Sequence, residues 1–528
     1  MIRGMNSMIA REPCIAGYPD RLSYLPGEEV SFTCSTSARE FSAEIARVGG
    51  QRQIMWERKG LAGHTHEVPQ DAASLGCDWP QAFAVKISRD WPSGYYEVVL
   101  RAADPASGRL AEHLACFAVR PERRAAGERA GRMLLFLTTN TYNAYNDWGG
   151  PNLYTGGVRV SFRRPFAPGL LKKPRPEVRY PNVDAIDDPE HERFRTWAAL
   201  HGLTLWSGSA GWHNWERPFV RWAERQGYAV DVAVNADLEL HPDVLDGYRL
   251  AVSVGHDEYW SWGMRDTLEA FIADGGNVAF FSGNAVCWQV RFEDDGDTMI
   301  CYKDRYQEDP AFATGPRRAT TLWSSQVVGR PENHLTGLSF TRGGYIRMGN
   351  AVPRGSGGFT VWRSGHWAFE STDLRYGDLF GAHSAIAAYE VDGCEWTLSR
   401  QDGLPVPTGT DGTPENLTIL ATAPARLWSR HELPSRYRPL APGDLEAMAL
   451  AVFGDTAPGH IRRLAHNHAV MGTYTRGGTV FSAGTTDWSY GLDGHDPIVE
   501  RITRNVLDRL LARSAGRDAA TCGGSGLA

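Results

Sequence analysis

Residues 248–283 read YRLAVSVGHDEYWSWGMRDTLEAFIADGGNVAFFSG, and this stretch decides the fold class. YRLAVSVG, 248–255, is an apolar run suited to a strand buried on both faces. MRDTLEAFIADGG, 264–276, has helical spacing and closes on two glycines. NVAFFSG, 277–283, is a second buried strand. A strand, a helix and a strand at this spacing predict a parallel βαβ unit. The same rhythm starts earlier, with MLLFLTT at 133–139, the helix ERPFVRWAERQGY at 216–228 and the strand YAVDVAV after it. Later strands are expected at 385–391, 417–423, 448–454 and 479–485, and a closing amphipathic helix at 497–512. Gly275-Gly276-Asn277-Val278-Ala279-Phe280-Phe281 is echoed by Gly477-Gly478-Thr479-Val480-Phe481, which reads as one turn-and-strand unit used twice.

The first 120 residues differ. Val30, Phe32 and Cys34 alternate on one face, as do Tyr96, Val98 and Leu100, and Gly/Pro turns separate such runs. That predicts an antiparallel, immunoglobulin-like β-sandwich. The expected organisation is a sandwich over 1–120, a polar linker over 121–131, an α/β domain with a parallel three-layer sheet over 132–514, and a disordered tail over 515–528. With 528 residues the chain exceeds one core.

Composition narrows the function. Apolar residues make up 42% and charged residues 22%, with a net charge of −7. That is a globular balance with no basic footprint for nucleic acid. No apolar run reaches the roughly 20 residues a membrane helix needs, and the N-terminus lacks a secretory h-region, so a cytoplasmic protein is expected. The eight cysteines form no C-x-x-C pair and are expected to be reduced and buried. His64-x-His66 and His466-x-His468 have chelating spacing but no third ligand nearby, so they read as solvated loop or strand residues.

Several strings resemble the N,N-dimethylformamidase large (beta) subunit family: TTNTYNAYNDWGGPNLY (138–154), FVRWAERQGY (219–228), GHDEYWSWGMRDTLEAF (255–271), GGNVAFFSGNAVCWQVRFE (275–293), AYEVDG (388–393) and GTVFSAGTTDWSYGL (478–492). GYPDRLSYLPGEEV (17–30) is similar to that subunit's N-terminal sandwich. The resemblance runs from about residue 17 to about 512. It implies a glutamine-amidotransferase-like α/β domain. Enzymes of that fold carry a cysteine at a strand-to-helix elbow, whereas VSVG here runs into His256-Asp257-Glu258-Tyr259, which disfavours a thiol route.

The resemblance further implies hydrolysis of a C–N bond in a small amide by a water that a mononuclear ferric iron activates. Its metal ligands carry over to Tyr259, Tyr302 and Glu390, with Tyr306 and Asp392 as the neighbouring alternatives. Hard phenolate and carboxylate oxygens suit ferric iron, and a cation stabilises a phenolate whose free acid titrates near pH ~10. Proton handling falls to Asp487, with Glu258 and His256 beside it. Asn416 is the implied substrate or oxyanion partner. The loop after the first buried strand offers Asn140, Tyr142, Asn146 and Trp148 to a substrate, or else packs on the sandwich. Where the family carries a histidine two residues before the metal glutamate, this chain has Ala388. A small accessory subunit and a homo-oligomer are the expected partners. The rival reading is a metal-free module that binds a carbohydrate or another polar ligand, and iron content separates the two.

Overall fold

A nine-stranded sheet forms the centre of the protein. The computed structural model describes residues 15–103, 108–122, 129, 131–173, 196–347, 355–429 and 443–512. In chain order the strands of this sheet are β1 (Arg132–Leu137), β2 (Ala229–Val234), β3 (Leu250–His256), β4 (Asn277–Gly283), β5 (Phe359–Val361), β6 (Leu379–Phe380), β7 (Thr418–Ala425), β8 (Asn467–Arg476) and β9 (Gly478–Ser482). Their spatial order is β2-β1-β3-β4-β9-β8-β7-β5-β6. The first five are parallel and the remaining pairings are antiparallel. The sheet is therefore mixed, where the sequence rhythm implied a parallel one. The departure begins at the hairpin that Gly477 closes between β8 and β9, since a hairpin reverses the chain. The repeated glycine units open β4 and β9, which lie side by side with Val278 opposite Val480.

Alternate residues of the strands enter two separate apolar clusters, one on each face. Met133, Leu135 and Leu137 join the cluster of helices Glu216–Arg225 and Pro497–Leu511. Leu134 and Phe136 join that of helix Trp262–Ala273. This is the period-two geometry of a strand covered on both sides.

Two expected strands change. Residues 448–454 lie in a helix, Asp444–Phe453. Its Ala, Leu and Met residues are strong helix formers, Asp444 and Glu446 sit in its first turn, and Gly454 ends it in the left-handed conformation at φ +79°. Of 385–391, only Glu390 onward is extended, as strand Glu390–Gly393 paired with Ser339–Tyr345 outside the central sheet. Alanine-rich segments pack a pleated surface poorly. The expected tail, 515–528, and most of the expected linker lie outside the described residues.

The N-terminal strands form two sheets, of three and five strands, around a core containing Val30, Phe32, Cys34, Tyr96, Val98 and Leu100. All but one of their pairings are antiparallel. Tyr95 faces the other way from Tyr96 and stacks on Trp212 of the α/β unit at 4.4 Å. Arg47–Glu224 at 2.6 Å and a Ser23–Asp237 hydrogen bond at 2.7 Å tie the two units further.

Candidate functional site

The strand order turns back at β1, because β2 lies on one side of it and β3, β4 and β9 follow on the other. Open α/β sheets build ligand sites at the C-terminal strand ends beside such a point. β3 ends there on His256. Gly255 makes the turn possible: its φ is +81°, and a Cβ would lie 2.4 Å from Trp215 Cβ. Beyond it, extended backbone alternates sides. His256 and Glu258 share one side, while Asp257 faces the other and accepts bonds from Ser253 at 2.8 Å and Asn235 at 3.2 Å.

The third member arrives from strand Glu390–Gly393. It can come close because Gly283, at the end of β4, has no side chain: a Cβ there would sit 2.5 Å from the carbonyl oxygen of Glu390. Ligand atoms of His256, Glu258 and Glu390 all fall within 4.8 Å of one another, and all three residues are buried. His256 Nε2 is 2.6 Å from Glu390 Oε2 and 3.2 Å from Glu258 Oε2. Its Nδ1 is 2.7 Å from the carbonyl of Ser209, which can only accept, so Nδ1 carries the proton and Nε2 faces the carboxylates. Nε2 itself makes no hydrogen bond of acceptable direction.

Two further residues hold the carboxylates. Asn284 Nδ2 donates to Glu258 Oε1 at 2.9 Å and to Glu390 Oε2 at 3.0 Å. The turn carrying it is strained, with Asn284 at φ +48° and the β-branched Val286 at φ +58°. Asp392 stabilises that turn by accepting the backbone N–H groups of Asn284 at 2.9 Å and Ala285 at 3.1 Å. Tyr154 donates to Glu258 Oε1 at 2.8 Å, and Tyr259 donates to Tyr154 at 2.9 Å. Tyr154 is 39% exposed, so one side of the ring meets solvent while its hydroxyl reaches a buried carboxylate.

The electrostatics follow from this packing. Burial alone would lower the His256 pKa, but Glu258 and Glu390 outweigh it and hold the imidazole well above its ordinary value. Burial opposes ionisation of Glu258, and His256, Lys303 and the Tyr154 hydrogen bond together outweigh it to keep it below the usual range. Burial pushes Asp392 up to about 8 and the Tyr259 phenol well above 10.0.

Comparison with known proteins places the chain in a family. A family model described as N,N-dimethylformamidase beta subunit-like, C-terminal, matches residues 42–502. The chain belongs to that family. The match starts inside the sandwich and includes every residue of the cluster. The N,N-dimethylformamidase beta subunit of Paracoccus aminophilus is 21% identical over 82% of this chain and 54% of its own length. That of Alcaligenes sp is 23% identical over 40% of this chain and 28% of its own length. The chain thus spans about half the length of the first of these relatives. A solved family 123 glycoside hydrolase from Clostridium perfringens covers 23% of this chain and 27% of its own, at 7% identity and a TM-score of 0.12, and nothing follows from it.

Of the residues the family resemblance pointed to, Glu390 lies in the cluster and Tyr259 reaches it through Tyr154. Among the described residues, the Tyr302 phenol makes no hydrogen bond to the cluster; the residue caps the turn Lys303–Glu308 and donates its backbone N–H to Thr320. Tyr306 packs edge-on against Phe312. His256 and Glu258, expected to manage protons, lie in the cluster with Glu390.

Asp487 stands among anchoring contacts. It is buried, accepts Trp215 Nε1–H at 3.0 Å and the Tyr389 backbone N–H at 2.8 Å, and so fixes the strand that delivers Glu390. Asn416 is corrected by topology. It precedes β7, which runs in the same direction as β3, so it lies at the opposite edge of the sheet, exposed and bonded to the Thr475 carbonyl at 2.8 Å. The expected substrate loop is scaffolding, mostly the short helix Thr139–Tyr145. Asn140 donates to the Tyr259 carbonyl at 3.0 Å, Tyr142 to Glu216 at 2.6 Å and Asn146 to the Pro165 carbonyl at 3.0 Å, while Trp148 packs edge-on against Trp79 of the sandwich.

The residues that sequence reasoning missed are Tyr154 and Asn284. Both stand in family-like strings, but only the fold brings them to Glu258. The six described cysteines are free and buried. Burial pushes Cys301 up to about 12 and Cys287 well above 9.0, so neither supplies a thiolate. His64 and His66 rings stand 6.4 Å apart and His468 packs on Trp396; neither pair joins a metal-type cluster among the described residues.

Proposed function

We propose that this chain hydrolyses the C–N bond of small amides with one resident metal ion, for which the family resemblance favours iron. The convergence of His256, Glu258 and Glu390 at the β3 edge carries the reading. Imidazole and carboxylate donors suit iron, as well as zinc or manganese. The orphaned, buried Nε2 of His256 fits a coordinating role better than a hydrogen-bonding one. This donor set differs from the phenolate-rich set the resemblance implied, and Glu390 is the member they share. A cation held there would polarise a carbonyl and acidify a water.

The protein's own groups do the rest. The Ser209 carbonyl fixes the imidazole tautomer, as partners of metal-binding histidines do. Asn284 holds the two carboxylates at a set spacing, and its Oδ1 is buried without a partner, free to accept an amide N–H. Tyr259 donates to Tyr154, which donates to Glu258, so this hydrogen-bonded series orients the carboxylate in the cluster. Helices on both faces of the sheet support the glutamine-amidotransferase-like reading of the domain. An accessory subunit fits the relatives' designation as beta subunits.

The test joins metal analysis of the purified chain to a panel of linear amides, with Glu390→Gln as the control. About one metal per chain and turnover that disappears with it support the reading. A metal-free chain that cleaves amides, or a metal-loaded chain that cleaves none, overturns it.

A further inference from the structure

Lys303 stands beside the site, and the reading above gives it no role. It sits at φ +53°, in the left-handed region, at the end of the loop following strand Thr298–Ile300. Its Nζ is buried and has no hydrogen-bond partner among the described residues, and no described carboxylate lies within 4.0 Å of it. Three rings surround it instead: Tyr154 with its centroid at 3.3 Å, Trp288 at 4.8 Å and Tyr259 at 5.2 Å. Tyr154 is the same ring whose hydroxyl holds Glu258.

A buried ammonium with open donors is costly, and so is a left-handed backbone at a non-glycine residue. Cation–π attraction offsets part of this. Both costs fall beside one cluster, which is where strain and unpaired charge are retained for binding. An ammonium with open donors is complemented by an anionic oxygen, which a neutral amide does not supply.

We propose that Lys303 binds an anionic oxygen of the substrate, so that the site takes small amides that also carry a carboxylate. The proposal rests on reading the cluster as the metal site of an amide hydrolase, and the experiment separates the two. The full-length, metal-loaded protein is titrated calorimetrically with succinamate and with the neutral succinamide, and turnover of both is followed. The wild type is expected to bind succinamate about tenfold tighter or more, the scale of a buried charge pair, with the difference appearing in KM. Lys303→Met keeps the alkyl stem on the Tyr154 ring and should lose that preference without losing metal; Lys303→Arg should retain part of it. A wild type that binds both alike, or neither, overturns the proposal, as does Lys303→Met with the preference intact. The wild-type comparison stands even where a variant misfolds. A Lys303-dependent preference for succinamate in a chain that holds no metal and cleaves no amide overturns the hydrolase reading alone. Cleavage indifferent to the carboxylate overturns the Lys303 proposal alone.

Discussion

His256 Nε2 lies 2.6 Å from Glu390 Oε2, yet the imidazole N–H direction misses that oxygen, so the pair is in contact without a hydrogen bond. A hydrogen-bonded ion pair would be aligned. Glu258 completes the set from the other side at 3.2 Å.

The two possible donor sets can be told apart. His256→Ala and Glu390→Gln are each expected to lower metal affinity at least tenfold, because each removes a converging donor. Tyr302→Phe should keep its metal, since its phenol makes no bond to the cluster. Metal content, measured after dialysis on variants of matched circular dichroism, checks this. Loss of metal in Tyr302→Phe equal to that in Glu390→Gln would restore the tyrosine ligand set.

Tyr154→Phe removes the hydroxyl that holds Glu258 and keeps the ring under Lys303. It should bind metal and lose about 10–100-fold in turnover or metal affinity, the usual cost of removing a partner of a ligand. Steady-state kinetics at equal metal content decide. Unchanged turnover and affinity would reduce Tyr154 to a wall of the site.

The legible parts of this protein were those written locally. Strand Asn277–Gly283 has its sequence-read boundaries, and the closing helix Pro497–Leu511 ends one residue early, because buried runs and capped amphipathic periods are local signals. His256 and Glu258 were legible as a pair, since alternation alone puts residues two apart on one side of a strand end. Glu390 was found through its string, yet its strand was extended too far back, into Ala385, which sits at φ +46°. The helix at 444–453 was hidden by its length: a short apolar run does not distinguish strand from helix. Tyr154 and Asn284 act on Glu258 across 104 and 26 residues, and no spacing rule predicts contacts of that kind. Asn416 failed for a geometric reason. Once the β8–β9 hairpin is formed, the start of β7 is fixed at the far edge of the sheet.

Asp487 gives a prediction that separates anchor from base. Its carboxylate satisfies a buried indole N–H and a buried backbone N–H. Asp487→Ala leaves both unpaired and should cost about 2–6 kcal/mol in stability, at roughly 1–3 kcal/mol for each orphaned donor. Chemical denaturation measures this. Asp487→Asn, which keeps one of the two acceptor oxygens, should cost less stability than Asp487→Ala and leave the shape of the pH–rate profile unchanged. A drop in turnover of about 10²–10⁴-fold with the fold intact would return the general-base role to this residue.

The last prediction concerns stability against pH and lies away from the candidate metal ligands. Glu332 is wholly buried, accepts a hydrogen bond from Ser339 and leaves Oε2 without a partner. Burial pushes its pKa from 4.5 to about 7, with Ser339 and Arg265 pulling only partly the other way. The folded pKa is thus above the unfolded one, so the folded state binds the proton more tightly. The stabilisation this gives is fully present below pH ~4.5 and is lost as pH rises through about 7, amounting to about 3 kcal/mol over that window. Glu332→Gln mimics the protonated form and does not titrate. Unfolding free energies of both proteins, measured by denaturant from pH 5 to pH 8.5, should diverge up to about pH 7 and stay apart above it, with the variant gaining on the wild type over the lower range. Other buried acids, Asp444 among them at about 8, titrate in the same direction in both proteins. Asp392 feels the Glu332 charge, so the difference between the two curves reports Glu332 together with that coupling. Curves that run parallel across this window would show that the carboxylate is already ionised in the fold and that a partner offsets its charge.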